Sequence, residues 1–152
     1  MKTILIIYHS QSGIVEEMSL AIKKGIRDIS KDTKIELKKA QEAGWNDLKI
    51  ASGIAIGTPD YFDYMSGAVK DFFDRTFYPS QSKIKGSLTA DIPCILFASG
   101  GTGGEPAIES LKKVSMYFKF KIIDYIAVGS QITPENLKRC EELGESLAKA
   151  VL

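Results

Sequence analysis

The sequence predicts an α/β fold in which a five-stranded parallel sheet is covered by helices on both faces. Three observations carry that expectation. Short apolar or half-apolar runs recur five times, at Thr3–Tyr8, Thr33–Lys39, Ile50–Gly57, Ile92–Ala98 and Lys121–Val128. Between them, apolar residues fall at helical spacing, so strand and helix alternate along the chain. With 152 residues there is room for one domain, 1–152, and no linker, repeat or low-complexity tract divides it.

Each element has a local reason. The β-branched run at Thr3, Ile4, Ile6 and Ile7 makes the first strand, which ends abruptly at a polar loop, HSQSG. Ile14, Met18, Ala21, Ile22, Gly25, Ile26 and Ile29 then form one helical stripe against Glu16, Glu17, Lys23, Lys24 and Arg27. Thr33–Lys39 alternates apolar and polar residues, the pattern of a half-exposed strand near a sheet edge. Ala40 to Lys49 is weakly patterned, with a helical turn around Trp45 to Leu48, and Trp45 reads as a packing residue. Ile50–Gly57 is small and apolar throughout, as a buried parallel strand requires. A loop follows, and Val69, Phe72, Phe73, Thr76 and Phe77 give the next helix, closed by Pro79 and Ser80. Gln81 to Ala90 reads as a polar surface connection. After the strand Ile92–Ala98, the stripe Ala107, Leu111, Val114 and Phe118 marks another helix, and Lys121–Val128 the fifth strand. Thr133, Pro134 and Glu135 signal a last helix, with a capping residue and proline at its first position.

Composition narrows the class of function. With 44% hydrophobic and 26% charged residues, the chain reads as an ordinary globular domain. Twenty basic residues against nineteen acidic ones give a net charge of +1, which offers no basis for nucleic-acid or membrane-surface binding. The first apolar run is too short for a signal-peptide core or a membrane span, so the cytoplasm is the expected location. Cys94 and Cys140 belong to no metal or redox spacing, and both sit in apolar patterns that read as packing. His9 is the single histidine, which excludes a multi-histidine metal site; no catalytic side chain and no metal ligand is assigned.

In a doubly wound sheet, ligands bind outside the carboxyl ends of the strands. The loops that follow strands one, three and four emerge there: Ser10 to Val15, Thr58 to Gly67 and Ser99 to Glu105. The first places hydroxyls and backbone amides at a helix start and contains no Lys or Arg, so it reads either as an anion cradle or as a plain turn with a serine N-cap. The second carries Tyr61, Phe62 and Tyr64, a wall for a flat ligand or a hydrophobic plug over the next helix. The third, SGGTGG, lets backbone approach a ligand closely, or serves as a flexible loop ending in a helix cap. A phosphate cradle, an aromatic wall and a glycine-rich wall together describe a site for a phosphorylated planar molecule, and FMN fits that description. The Rossmann fingerprint is not matched, because GGTGGEP lacks the third glycine and follows the fourth strand; no Walker GK[ST] occurs.

Across its whole length the sequence resembles the flavodoxin-like FMN proteins. SQSGIV is similar to their phosphate loop, S/T-x-T-G-x-T, except that Val15 stands where the pattern has its last hydroxyl. Gly57, Thr58, Pro59, Phe62, Met65, Ser66 and Gly67, together with SGGTGG, resemble the NAD(P)H:quinone oxidoreductase branch, named historically for tryptophan-repressor-binding proteins. The resemblance implies a three-layer sandwich with strand order 2-1-3-4-5. It implies that Ser10, Gln11, Ser12, Gly13, Ile14 and Val15 hold the FMN phosphate. It implies that Thr58, Pro59, Asp60, Tyr61 and Phe62, with Ser99, Gly100, Gly101, Thr102 and Gly103, line the isoalloxazine. NADPH or NADH is then the expected electron donor, and a quinone-like small molecule the acceptor. The alternative is a one-electron carrier serving a redox partner protein. The absence of aromatics from the third loop and the near-neutral charge favour the reductase. The chain's shortness relative to that branch, and its having no second histidine, favour the carrier. Asp60 and Asp63 read either as charges near the flavin or as solvated charges capping the helix that starts near Ser66.

Overall fold

The computed structural model describes all 152 residues. In chain order the elements are β1 (Thr3–Tyr8), α1 (Ile14–Ile29), β2 (Lys34–Lys39), a 3-10 turn (Ala40–Glu42), α2 (Trp45–Leu48), β3 (Gly53–Pro59) and α3 (Gly67–Phe77). A second 3-10 turn (Tyr78–Ser80) leads to β4 (Gln81–Ser82), β5 (Gly86–Ser87), β6 (Pro93–Ser99), α4 (Glu105–Phe118), β7 (Lys121–Val128) and α5 (Pro134–Val151). The large sheet is parallel throughout in the order β2-β1-β3-β6-β7. Counting only its own strands, that is 2-1-3-4-5, the expected winding.

Strand alternation divides the core into two layers. Leu5, Ile7, Ile54, Ile56, Leu96 and Ala98 face α3 and α4, where Phe72, Phe73, Leu111 and Phe118 close over them. Ile4, Ile6, Ala55, Ile95 and Phe97 face α1 and α5, meeting Met18, Ile22, Ile26, Leu143 and Leu147. Cys94 lies in the first layer and Cys140 in the second, both fully buried and unpaired. Burial pushes the Cys140 thiol up to about 12 and raises Cys94 further, as their packing roles require. No helix is long and apolar enough to cross a membrane.

Helices α1 and α5 approach backbone to backbone. A Cβ on Gly25 would lie 1.9 Å from the Glu141 carbonyl oxygen, and one on Gly144 would lie 2.1 Å from that of Ile22. Glycine is therefore required at both positions for the layer to form, and the site helix α1 is seated by that contact.

The strand β3 differs from expectation at both ends. β3 begins at Gly53, not Ile50, because the chain is still turning out of α2 and leaves Ile50 55% exposed. It also runs on through Pro59, which pairs with Ser99 at the strand end where proline's missing N–H is not needed. The segment Gln81 to Ala90 contains the small antiparallel hairpin β4–β5. It is anchored where Ser87 Oγ (3.0 Å) and Thr89 Oγ1 (2.6 Å) donate to the Phe118 carbonyl, one of the groups that the end of α4 leaves without a helical partner.

Candidate functional site

The three loops meet at the carboxyl edge of the sheet. The His9 N–H donates to the Gly57 carbonyl (3.2 Å), which holds the first loop beside β3. Ser10 Oγ accepts the Gly13 N–H at 3.1 Å and closes the loop into a turn. The N-cap of α1 is Gly13, at φ +99°, and not a serine; no side chain caps the helix. The Glu17 N–H reaches the Gly13 carbonyl, so the amides of Ile14, Val15 and Glu16 are left without helical partners. Ser12 and Gln11 are exposed above them, while the Val15 side chain is buried in the α1–α5 layer and offers only its amide.

The second loop is held from below. Thr58 is fully buried; its hydroxyl donates to the Pro59 carbonyl (2.8 Å) and accepts the Ser66 N–H (2.9 Å). The Met65 N–H donates to Ser110 Oγ of α4 (2.9 Å), and Ser66 Oγ caps α3 by accepting the Val69 N–H. Above these anchors, Tyr61 and Tyr64 exchange two backbone hydrogen bonds (2.9 and 3.2 Å). Between them, Phe62 and Asp63 have φ of 59° and 62°, the dihedrals of a type I′ turn. Glycine or asparagine normally occupies such positions, so the turn is strained, and it holds Phe62 fully exposed at its tip. The Tyr61 hydroxyl donates to Gln11 Oε1, and its ring meets His9 edge-on with centroids 6.1 Å apart. Tyr61 thereby joins the second loop to the first.

Asp60 joins the second loop to the third. Its N–H donates to the Ser99 carbonyl (2.7 Å), Oδ1 accepts the Asp63 N–H (2.9 Å) and Oδ2 accepts the Ala107 N–H (3.2 Å). The carboxylate therefore caps α4 from another loop, not the helix that starts near Ser66, and at the same time pins the strained turn. Asp63 is exposed. Ser99 is the buried last residue of β6, and a Cβ on Gly100 would lie 2.6 Å from that of Asp60. Gly101 and Gly103 border open space, and Thr102 is exposed between them. Asp60→Ala is expected to destabilise the fold by about 1–2 kcal/mol through the lost cap and to loosen residues 61–64. Denaturant titration and amide exchange at those residues check this.

Ser10, Gln11, Ser12, Val15, Pro59 and Tyr61 line a pocket of about 260 Å³ between the first two loops. A larger apolar cleft, about 380 Å³, lies between the C-terminal halves of α3 and α4, at the opposite edge of the sheet. The sequence alone did not place Ser110, His9 or Lys39 at the site. Only the pairing of β1 with β2, which sets Lys39 opposite Tyr8, brings that lysine to the first loop. The residues present fit FMN: free amides and two hydroxyls suit a phosphate, and the space beside Gly101 and Gly103 suits a flat ring.

Comparison with known proteins agrees. A flavodoxin of Aquifex aeolicus (strain VF5) is 29% identical over 99% of this chain and 88% of its own length. An NAD(P)H dehydrogenase (quinone) of Acidithiobacillus ferrooxidans is 32% identical over 50% of this chain and 48% of its own. Among solved structures, an archaeal flavodoxin superposes with a TM-score of 0.82 at 23% identity, covering 98% of both chains. A WrbA-like flavodoxin from Agrobacterium tumefaciens gives 0.74 at 17% identity, covering 99% of this chain and 98% of that one. At such identities the two structures bear on the fold alone. The sequence profile of NADPH-dependent FMN reductases matches residues 17–133. The chain therefore belongs to the NADPH-dependent FMN reductase family, flavodoxin-like proteins that bind FMN.

Proposed function

We propose that this protein is an FMN-dependent NAD(P)H oxidoreductase that passes reducing equivalents to a quinone-like small acceptor. Bound FMN supplies the redox chemistry, and the chain supplies binding, orientation and access. Ser10 to Val15 hold the phosphate through the free amides and hydroxyls of the first loop. Thr58, Pro59, Asp60, Tyr61 and Phe62 line one side of the ring, and Ser99 to Gly103 the other. Thr58 and Asp60 act there by holding the loop, since their side chains are already engaged. The observation that carries the reductase reading is the third loop. Gly100 to Gly103 bring no aromatic cover, and Gly101 and Gly103 border open space, which leaves a ring face accessible to a nicotinamide. A one-electron carrier is the second reading, favoured by the near full-length similarity to a flavodoxin.

Anaerobic titration of the FMN-loaded protein with NADPH and then NADH separates the two. Fast two-electron bleaching of the flavin supports the reductase. No reaction with either nucleotide, with reduction by light in two separate one-electron steps, supports the carrier. Phe62 tests the ring wall itself. Phe62→Gly is expected to stabilise the flavin-free protein by about 0.5–1 kcal/mol, because it relieves the strained φ. It is also expected to weaken FMN binding by about three- to tenfold through lost ring contact. Thermal melting and flavin fluorescence quenching measure the two effects.

A further inference from the structure

Behind the first loop, on the β2 side, lies a second small pocket of about 180 Å³ lined by Tyr8, His9, Ser10, Glu16, Lys39 and Gln41. It shares Ser10 with the 260 Å³ pocket, so the same hydroxyl borders both. Lys39 is the register partner of Tyr8, which places it at the end of β2 directly beside the start of the loop. Its neighbours on that strand are occupied: Lys34 pairs with Glu36, and Lys38 with Asp47. Lys39 has no carboxylate within ion-pair distance and is exposed. The first loop holds no cation of its own, and this pocket holds the nearest candidates, Lys39 and the single histidine.

We propose that this pocket is a phosphate-monoester subsite, with Lys39 supplying the positive charge that the loop lacks. The inference rests on the flavin reading above. With the FMN phosphate held by the amides of the first loop, the phosphate monoester left for this pocket is the 2′-phosphate that distinguishes NADPH from NADH. Gln41 and Ser10 add neutral donors, and His9 adds a ring N–H. The charged and titratable groups on the other sides are Glu16 of α1 and Tyr8 of β1. Burial raises the Tyr8 pKa, and the carboxylates of Glu16 and Glu42 add to that rise, so both acids act on this corner of the fold. Glu16 therefore opposes what Lys39 attracts. Removing one or the other must move affinity in opposite directions, which a merely structural role for either would not do.

The test compares wild type, Lys39→Gln and Glu16→Gln. FMN and riboflavin binding is read by flavin fluorescence, and NADPH and NADH binding to the oxidised FMN-loaded protein by calorimetry. Lys39→Gln is expected to weaken NADPH binding by about tenfold, and Glu16→Gln to strengthen it, with NADH, FMN and riboflavin binding unchanged. A difference confined to FMN against riboflavin means that Lys39 acts on the phosphate of the first loop, and it overturns the separate subsite. A difference confined to NADPH against NADH assigns the 2′-phosphate. The wild-type preference should also fall as salt is added. If Lys39→Gln changes both members of each pair equally, or neither, the subsite is overturned while the flavin site stands. A wild type that binds neither FMN nor riboflavin overturns the flavin site and this subsite together. Lys39 is exposed at a strand end, so the variant folds, and far-ultraviolet circular dichroism confirms it.

Discussion

Gly13→Val is expected to lower FMN affinity by about 30- to 100-fold while leaving the fold in place. No atom lies within 4 Å of the position that a Cβ would take on Gly13, so crowding is not the cause. The cause is the backbone. Gly13 sits at φ +99° as the N-cap of α1, a conformation that costs a β-branched residue about 2–3 kcal/mol. The valine variant escapes that cost by rotating the loop, which turns the Gly13 N–H away from Ser10 Oγ and disperses the amides of Ile14, Val15 and Glu16. Those amides are the donors that converge on the proposed phosphate position, so the strain appears as lost binding more than as lost stability. Fluorescence titration with FMN and a parallel melting curve measure the two. Affinity within twofold of wild type would remove the phosphate from this loop. A fall in stability without a fall in affinity would give Gly13 a purely architectural role.

The turn at Gly13 was half legible in the sequence. HSQSG after an apolar run announced a tight turn into a helix, and the strand pattern placed that turn at the correct edge of the sheet. Which residue caps the helix was not legible, because a serine N-cap and a glycine N-cap with free amides share the same letters. Local periodicity announced the parallel α/β class, since strand and helix alternate along the chain, whereas the strand order came from the family resemblance. What stayed hidden was nonlocal. Asp60 caps α4 across 47 residues, and Thr89 reaches the Phe118 carbonyl across 29, pairings that no window of sequence reveals. The β4–β5 hairpin has two-residue strands, below any periodic signal, and its hold comes from hydroxyls rather than from apolar spacing. Ile50 misled for the opposite reason: it continues an apolar run that the geometry of α2 leaves outside the sheet. Gly25 was visible only as a small residue on an apolar stripe, and Gly144 gave no signal at all. Yet these two residues govern how α1 is seated.

Gly144→Ala is accordingly expected to cause a large loss of stability. Its Cβ would lie 2.1 Å from the carbonyl oxygen of Ile22, 2.9 Å from the carbonyl carbon and 3.1 Å from the amide nitrogen of Ile26. These are backbone atoms inside a helix and cannot step aside as a flexible side chain would, so α1 and α5 must separate. Overpacking of this kind costs about 3 kcal/mol, and the better helix propensity of alanine returns about 1 kcal/mol. The net loss of about 2 kcal/mol lowers the melting temperature by about 4–8 °C in a chain of this size. Gly67→Ala, at the first position of α3 with nothing within 4 Å of its Cβ, should leave the melting temperature unchanged and serves as the control. Gly25→Ala meets the Glu141 carbonyl at 1.9 Å from the other side of the same contact. Once either alanine has forced the helices apart, the second finds part of the room already made. The double variant should then lose less than the sum of the single ones. Full additivity would mean that each glycine is needed for its own local backbone and not for the approach of the two helices. Because α1 carries the free amides of the first loop at its N-terminus, the same variants should weaken FMN binding in proportion to the helix displacement. Stability and cofactor affinity would in that case be set through one glycine-lined contact.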